Sequence, residues 1–244
     1  MGDMSDAIYI VGNQGLGDHL VCNGIYREYA KLYTFCVIGV TKRYEFTLKK
    51  MLEDLSNVRI VAYPDKYWNA YSLAHARILQ RKIGFDVLMI GHLGLDFLTD
   101  PHLRLDACFY HQANIELDLR WSNFRYKRDF DKELHLFNLF GCISAEYVFL
   151  HEDESRNFRI RRESLPSNIR VIEPDIDLEG FTIFDYTMII ENAKEIHCIE
   201  SSFSAFIEML PINVPKFAHR YSRPEAKNDY CHEFTYKSAW DIVL

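Results

Sequence analysis

The apolar positions of this 244-residue chain fall into short runs that switch between two periods. Ala7–Val11 is nearly continuous in apolar character, the pattern of a strand buried on both faces. Residues 20–32 then space their apolar side chains as a helix does. The strand pattern returns over 35–40 and 58–62, and the helical one over 44–55 and 70–82. In 44–55 the residues Glu45, Lys49, Lys50 and Glu53 make the wet face. A fourth strand is expected over 85–90. Strand and helix alternating at this spacing predict a parallel sheet with helices on both faces.

Between 96 and 129 the pattern loosens and turns aromatic and polar, with Tyr110, His111, Trp121, Phe124 and Tyr126. Such a stretch reads as a binding loop or a segment between lobes. A helix is expected over 132–140, with Gly141 as its C-cap. A second alternating series follows. Its strands are expected over 147–150, 169–172, 196–199 and 214–218, and its helices over 184–192 and 202–210. The tail from 230 reads as helical around 239–243. The lobe boundary is expected near 135–146. The fold class is therefore α/β, with two Rossmann-like lobes at 1–140 and 141–244.

Hydrophobic residues make up 48% of the chain and aromatics 14%, enough for a sizeable core in each lobe. Asp and Glu number 35 against 28 Lys and Arg, a net charge of −7. A nucleic-acid partner for the whole protein is not expected at that balance, although a local basic pocket for a phosphate is compatible with it. The cysteines at 22, 36, 108, 142, 198 and 231 form no C-x-x-C pair, so neither a zinc site nor a disulfide framework is signalled. No apolar run reaches the roughly 20 residues that span a bilayer, and the acidic N-terminus lacks a signal-peptide core. A soluble, cytoplasmic protein without a transmembrane segment is the expectation.

Two strand–turn–helix junctions carry the candidate chemistry. Backbone N–H groups at such junctions point outward and attract anions. The first is Gly12–His19. It lacks the Gly-Lys-Ser/Thr ending of a Walker loop and is no clean G-x-G-x-x-G. Gly15 and Gly17 are permissive positions that let a ligand approach. Asp18 and His19 put an acid and an imidazole at the helix start, where either could take a proton from a hydroxyl. The plainer reading of Asp18 is a helix cap.

The second junction is Glu200-Ser201-Ser202-Phe203. Ser201 or Ser202 would cap the helix and offer hydroxyls and N–H groups to a phosphate, and Glu200 could accept from ribose hydroxyls. The plainer reading is a capped helix whose Phe203 and Phe206 fill the core. The loop after the 147–150 strand holds His151, and its Arg156 could pair with a diphosphate. Glu173, after the next strand, could edge a base. Asp129-Phe130-Asp131 and Asp175-Ile176-Asp177 both spell D-x-D, a metal-binding pattern of many sugar-nucleotide enzymes. Of the scattered histidines, His92 follows a first-lobe strand and could face a cleft. His197, inside an apolar strand, reads as a buried, hydrogen-bonded core residue. No histidine pair has metal-ligand spacing with a supporting carboxylate.

The first strand, Gly15-x-Gly17-Asp18 and a helix carrying Arg27-x-x-Ala30 resemble the acceptor-side loop of heptosyltransferase-like enzymes. Asn192-Ala193-Lys194, the 196–199 strand and Glu200-Ser201-Ser202-Phe203-Ser204 resemble the donor end of the same enzymes and of some fucosyltransferases. The resemblance implies a two-lobed GT-B glycosyltransferase that uses a nucleotide-diphosphate sugar and needs no cofactor or metal. Compact enzymes of this kind occur in large DNA viruses and in bacterial surface-glycan pathways. A UDP-sugar is expected over a GDP-sugar, with inversion at the anomeric centre and a glycan as acceptor. The loop carries Glu-Ser-Ser where heptosyltransferases carry Asp-Ser-Gly, which speaks against a heptose donor. Asp18 matches the position of the family's base, with His19 as second choice. Ser201 and Ser202 match the diphosphate positions. In this frame His151, Arg156, Glu173, Glu200 and Phe203 complete a donor site, and Gly15, Gly17, His92 and Tyr110 an acceptor site. Two rivals remain: a metal-dependent enzyme using a D-x-D pair, and a non-catalytic nucleotide- or glycan-binding module.

Overall fold

The computed structural model describes residues 6–12, 15–91, 104–153, 156–175, 177–222 and 234–244. The chain divides into two compact units, Met1–Lys127 and Arg128–Leu244. Each is a parallel sheet with helices around it.

In the first unit β1 (Ala7–Val11), β2 (Phe35–Thr41), β3 (Val58–Tyr63) and β4 (Asp86–Met89) pair in the order β3-β2-β1-β4. The helices are α1 (Leu16–Val21), α2 (Asn23–Leu32), α3 (Glu45–Met51) and α4 (Trp68–Ile83). The chain steps outward from β1 to β3, then crosses back to β4. Right-handed crossovers place α4 on the sheet face opposite α1–α3. Helices on both faces explain why β1 and β2 read as unbroken apolar runs. On the α4 side, Tyr9 Oη lies 3.1 Å from Ser72 Oγ and 2.6 Å from Tyr63 Oη. The helix sits so close that a Cβ on Gly39 would come within 2.1 Å of Ser72 Oγ.

Two expectations change here. The helix expected over 20–32 starts at Leu16 and bends at Cys22 (ψ 0°), so Gly17, Asp18 and His19 lie inside its first turns rather than before it. The loosened stretch is not loop throughout. It contains α5 (Leu105–Gln112) and α6 (Leu119–Ser122), too short to show a helical period. They bury Cys108, Phe109 and Tyr110, and a fully buried Asp106–Arg120 ion pair joins them. A Cβ on Gly24 of α2 would lie 2.3 Å from the Leu119 carbonyl, so α2 and α6 touch along the backbone.

In the second unit β5 (Tyr147–His151), β6 (Arg170–Ile172), β7 (Glu195–Cys198), β8 (Lys216–His219) and β9 (Asp241–Val243) run in the order β6-β5-β7-β8-β9, all parallel. Around them lie α7 (Phe130–Leu139), α8 (Thr187–Glu191) and α9 (Ser202–Ile207). The division falls at 127/128, ahead of the expected 135–146, because α7 belongs to this unit. Arg128 binds Glu133 of α7 (Nε–Oε1 2.9 Å) and Glu191 of α8 (Nη1–Oε1 2.7 Å) together. Asp129, the first residue of one D-x-D, caps α7 by accepting from Lys132 N–H at 3.2 Å.

The expected tail helix around 239–243 is wrong: Asp241–Val243 is the strand β9 on the edge of β8. Glu208 holds the approach extended. Its carboxylate accepts from Lys237 N–H (2.7 Å), Ser238 N–H (3.1 Å) and Trp240 Nε1–H (2.8 Å). The backbone groups of 241–243 are used in the ladder with Phe217–His219 of β8, so they are not available to a helix.

Among the described residues Cys22, Cys36, Cys108, Cys142 and Cys198 are buried free thiols, and no helix is long and apolar enough to cross a membrane.

Candidate functional site

Each unit carries a junction at the C-terminal edge of its sheet. In the first, β1 ends at Val11 and α1 begins after Gly15. Gly15 has φ −87°, which any residue can adopt, so its role is not a special dihedral. Its bareness makes room for a carboxylate. Asp18 Oδ2 accepts from Gly15 N–H at 3.0 Å, and a Cβ on Gly15 would stand 2.9 Å from that oxygen. The plainer reading of Asp18 is therefore realised, since the side chain closes over the first turn of α1. It stays partly exposed, as do Gly15 and Gly17.

His19 is fully buried behind it, with Nδ1 2.7 Å from Tyr26 Oη. Burial lowers its pKa to about 4, so the ring is neutral near pH 7. With no surface presented to a substrate, it is a core side chain in this arrangement. Tyr110, expected to line an acceptor site, is also buried and donates to the Val21 carbonyl at 3.0 Å, fixing α5 against the α1–α2 bend. His92 lies outside the described residues.

In the second unit the junction is built by β5, β7 and α9. Ser201 caps α9: its Oγ accepts from Ser204 N–H (3.4 Å), and Ser204 Oγ accepts from Ser201 N–H (2.9 Å). The same Ser201 Oγ lies 2.9 Å from His151 Nδ1 at the end of β5. The His151 ring packs on Phe203, centroids 4.7 Å apart. Burial lowers the His151 pKa to about 4. The nearby Asp153 carboxylate opposes that shift, and the Arg156 cation adds to it. Ser202, the first helical residue, is partly exposed beside this pair.

The other expected donor residues are engaged elsewhere. Glu200 is buried, and Oε1 accepts from Phe234 N–H at 3.2 Å, so its carboxylate holds the tail. Phe203 is fully buried among Phe149, His151 and Tyr186, which is the plainer reading of it. Arg156 donates Nε–H to Asp153 Oδ2 at 2.6 Å and stacks on Phe158 at 5.0 Å, yet stays half exposed. Glu173 is half exposed and pairs with Arg162 at 3.0 Å. Arg162 also binds Glu152 at 2.9 Å, so it ties together the loops after β5 and β6. The sequence reading missed Arg162, because nothing local in Arg161-Arg162-Glu163 distinguishes it from a solvated charge.

Asp175 and Asp177, the second D-x-D, form a local turn in which Asp175 Oδ1 accepts from Asp177 N–H at 2.9 Å. Among the described residues no three His, Cys, Asp or Glu side chains converge to hold a metal. His197 is buried as expected, with Nδ1 2.9 Å from His219 Nε2 and Nε2 3.2 Å from Glu195.

No known family model matches the sequence, and no curated protein matches it. Its fold, however, is similar to those of solved glycosyltransferases. One is a glycosyl transferase family 9 structure from Veillonella parvula, with TM-score 0.59 and 10% identity over 99% of this chain and 88% of that one. Another is the ADP-heptose LPS heptosyltransferase II of E. coli, with TM-score 0.55 and 11% identity over 98% and 90%. A third is the dodecameric iron-containing glycosyltransferase TibC of E. coli, with TM-score 0.51 and 13% identity, of which the chain spans 59%. At these identities the likeness speaks for fold, and the fold of this chain is the GT-B type of those glycosyltransferases.

Proposed function

We propose that the protein is a glycosyltransferase that moves a sugar from a nucleotide-diphosphate sugar to a glycan acceptor. The observation that carries this is a GT-B-type fold over nearly the whole chain, combined with the His151–Ser201–Ser202 junction on the second sheet. The diphosphate lies at that junction. Ser201 Oγ accepts from Ser204 N–H, so its own hydrogen is available to His151 Nδ1. The neutral imidazole then carries its proton on Nε2, a donor suited to a phosphate oxygen. Arg156 adds a half-exposed cation on the neighbouring loop. Fixed donors aimed at developing charge are the usual source of such stabilisation. No metal or other cofactor enters this scheme.

In the first unit Asp18 is the base, its carboxylate oriented by the Gly15 N–H. In an inverting transfer the acceptor oxygen bonds to the anomeric carbon as the bond from that carbon to the diphosphate oxygen breaks. Asp18 takes the acceptor proton, and the nucleoside diphosphate leaves with the bonding pair.

Thermal-shift titration with UDP, GDP, ADP and their sugars tests the donor site, and a transfer assay with the binding sugar tests the chemistry. Ligand at about 100 times its dissociation constant adds roughly 2.7 kcal/mol to stability. Absence of a shift with every nucleotide would remove the proposal. The UDP-sugar expectation and the ADP-heptose of one fold neighbour are separate arms of this screen.

One observation favours a second reading. Glu200 is held by the tail and Phe203 is core, so two expected donor contacts are committed to structure. A non-catalytic nucleotide- or glycan-binding module fits that. Saturable nucleotide-sugar binding without turnover across an acceptor panel would select it.

A further inference from the structure

On α4 the wrong side is apolar. The inward face, Trp68, Ser72 and Ala76, is buried against the sheet. The outward face of a helix packed on a sheet is normally polar. Here a stripe of Tyr71, Ala74 and Ile78, spaced at three and four residues, points away from the sheet. Tyr71 is 53% exposed and Ile78 51%. Arg77 and Arg81 lie on one side of the stripe and Lys82 on the other, all three exposed. Trp68–Ile83 contains no acidic residue. Neither Arg81 nor Lys82 is engaged in an ion pair or hydrogen bond with any described residue, and Arg77 bonds only Gln80, at 3.0 Å.

The charge of the chain is also unevenly divided. Met1–Lys127 carries 15 Lys and Arg against 14 Asp and Glu, whereas residues 128–244 carry 13 against 21. The apolar stripe with its cations therefore lies on the near-neutral unit of an acidic protein.

We propose that the outward face of α4 rests on an anionic lipid surface. An exposed aromatic and aliphatic stripe would enter the headgroup boundary while long cationic side chains on both flanks reach the lipid phosphates. Charge decides between this occupant and a second copy of the chain. A symmetric pair meeting on this face would oppose three cations to three cations, with no carboxylate from either α4 between them. An anionic membrane neutralises the three cations of each chain that docks on it. This goes beyond the transferase reading and stands whether or not that reading holds, since α4 carries none of the residues assigned to transfer.

Flotation of the full chain with vesicles tests the proposal, using phosphatidylcholine mixed with phosphatidylglycerol against phosphatidylcholine alone. The chain should float with the anionic vesicles, about tenfold less with the neutral ones, and less as salt is raised. Arg81→Gln with Lys82→Gln should weaken anionic-vesicle binding about tenfold or more. Tyr71→Ser with Ile78→Ser should weaken it comparably, with an unchanged circular dichroism spectrum and melting temperature. Leu134→Ser with Leu139→Ser, at exposed apolar positions of α7 in the acidic unit, should leave binding intact. Equal binding to neutral vesicles overturns the proposal, and so does an absence of flotation or indifference to both α4 double variants. Equal loss from the α7 variant also overturns it. A dimer in sedimentation that Tyr71→Ser with Ile78→Ser dissociates, without flotation, would assign the face to a second copy instead.

Discussion

Ser201 Oγ and His151 Nδ1 lie 2.9 Å apart although fifty residues separate them in the chain. The contact is possible because β5 and β7 are neighbours in a parallel sheet, with His151 in register with Cys198. Parallel strands end together, so the last residue of one meets the turn that follows the other. The pair joins a helix cap to an imidazole kept neutral by burial. Both jobs fall on one serine hydroxyl.

That double role makes Ser201→Ala informative. Loss of the cap should cost about 1 kcal/mol of stability. If His151 donates to a phosphate, the same change should weaken nucleoside diphosphate binding by about tenfold and leave nucleoside binding nearly unchanged, because only the diphosphate meets the reoriented ring. Calorimetry with nucleoside and nucleoside diphosphate separates the two effects. Equal losses for both ligands would put the phosphates elsewhere.

Asp18 and Gly15 make a second pair that can be tested. Asp18→Asn keeps the shape and an acceptor for Gly15 N–H but removes basicity. Turnover should fall by about 10²–10⁴-fold with donor affinity within a few-fold. Gly15→Ala is permitted by its φ of −87°, so any effect must come from the Cβ pressed against Asp18 Oδ2. Turnover should drop with little change in melting temperature. Nearly unchanged turnover in both variants would mean that Asp18 is a cap and nothing more.

The sheets were legible because apolar runs at strand spacing report burial on both faces, and β1, β2, β5 and β7 are interior strands. The Asp18 and Ser201 junctions were legible because a cap is a local feature. What failed was non-local. Tyr110 and Phe203 looked available because aromatic residues near loops resemble binding groups, yet packing buries both. Glu200 looked like a ribose ligand, but a backbone N–H 34 residues away occupies it. A three-residue stretch at 241–243 does not distinguish strand from helix, and its extended path depends on pairing with β8, more than twenty residues earlier in the sequence.

Three histidines predict how stability depends on pH. Burial lowers His19, His151 and His219 to about 4 from an ordinary value near 6.5. Between these values the unfolded chain binds protons that the folded chain refuses. Stability is therefore full above about pH 6.5 and falls as pH drops toward 4. Each histidine contributes a slope approaching about 1.4 kcal/mol per pH unit in that window. Urea unfolding at a series of pH values should show the decline, and His19→Gln should remove one histidine's share of the slope. A wild-type curve flat from pH 7 to 5 would contradict these burials.

The last prediction concerns the tail. Glu208 gathers two backbone N–H groups, the Ser238 hydroxyl and the Trp240 indole, and β9 then extends the sheet by one strand. Glu208→Ala leaves those donors without their acceptor inside a partly buried pocket. Leaving such neutral donors unsatisfied costs about 1–3 kcal/mol, less where water reaches them. Trp240 lies on the approach to β9, so its fluorescence should shift to the red as the segment gains water, and limited proteolysis should clip within 234–244 first. Glu208→Gln retains one acceptor oxygen and should fall between the two. If Glu208→Ala melts like the wild type and its tail resists protease equally, β9 is held by strand pairing with β8 and not by the carboxylate.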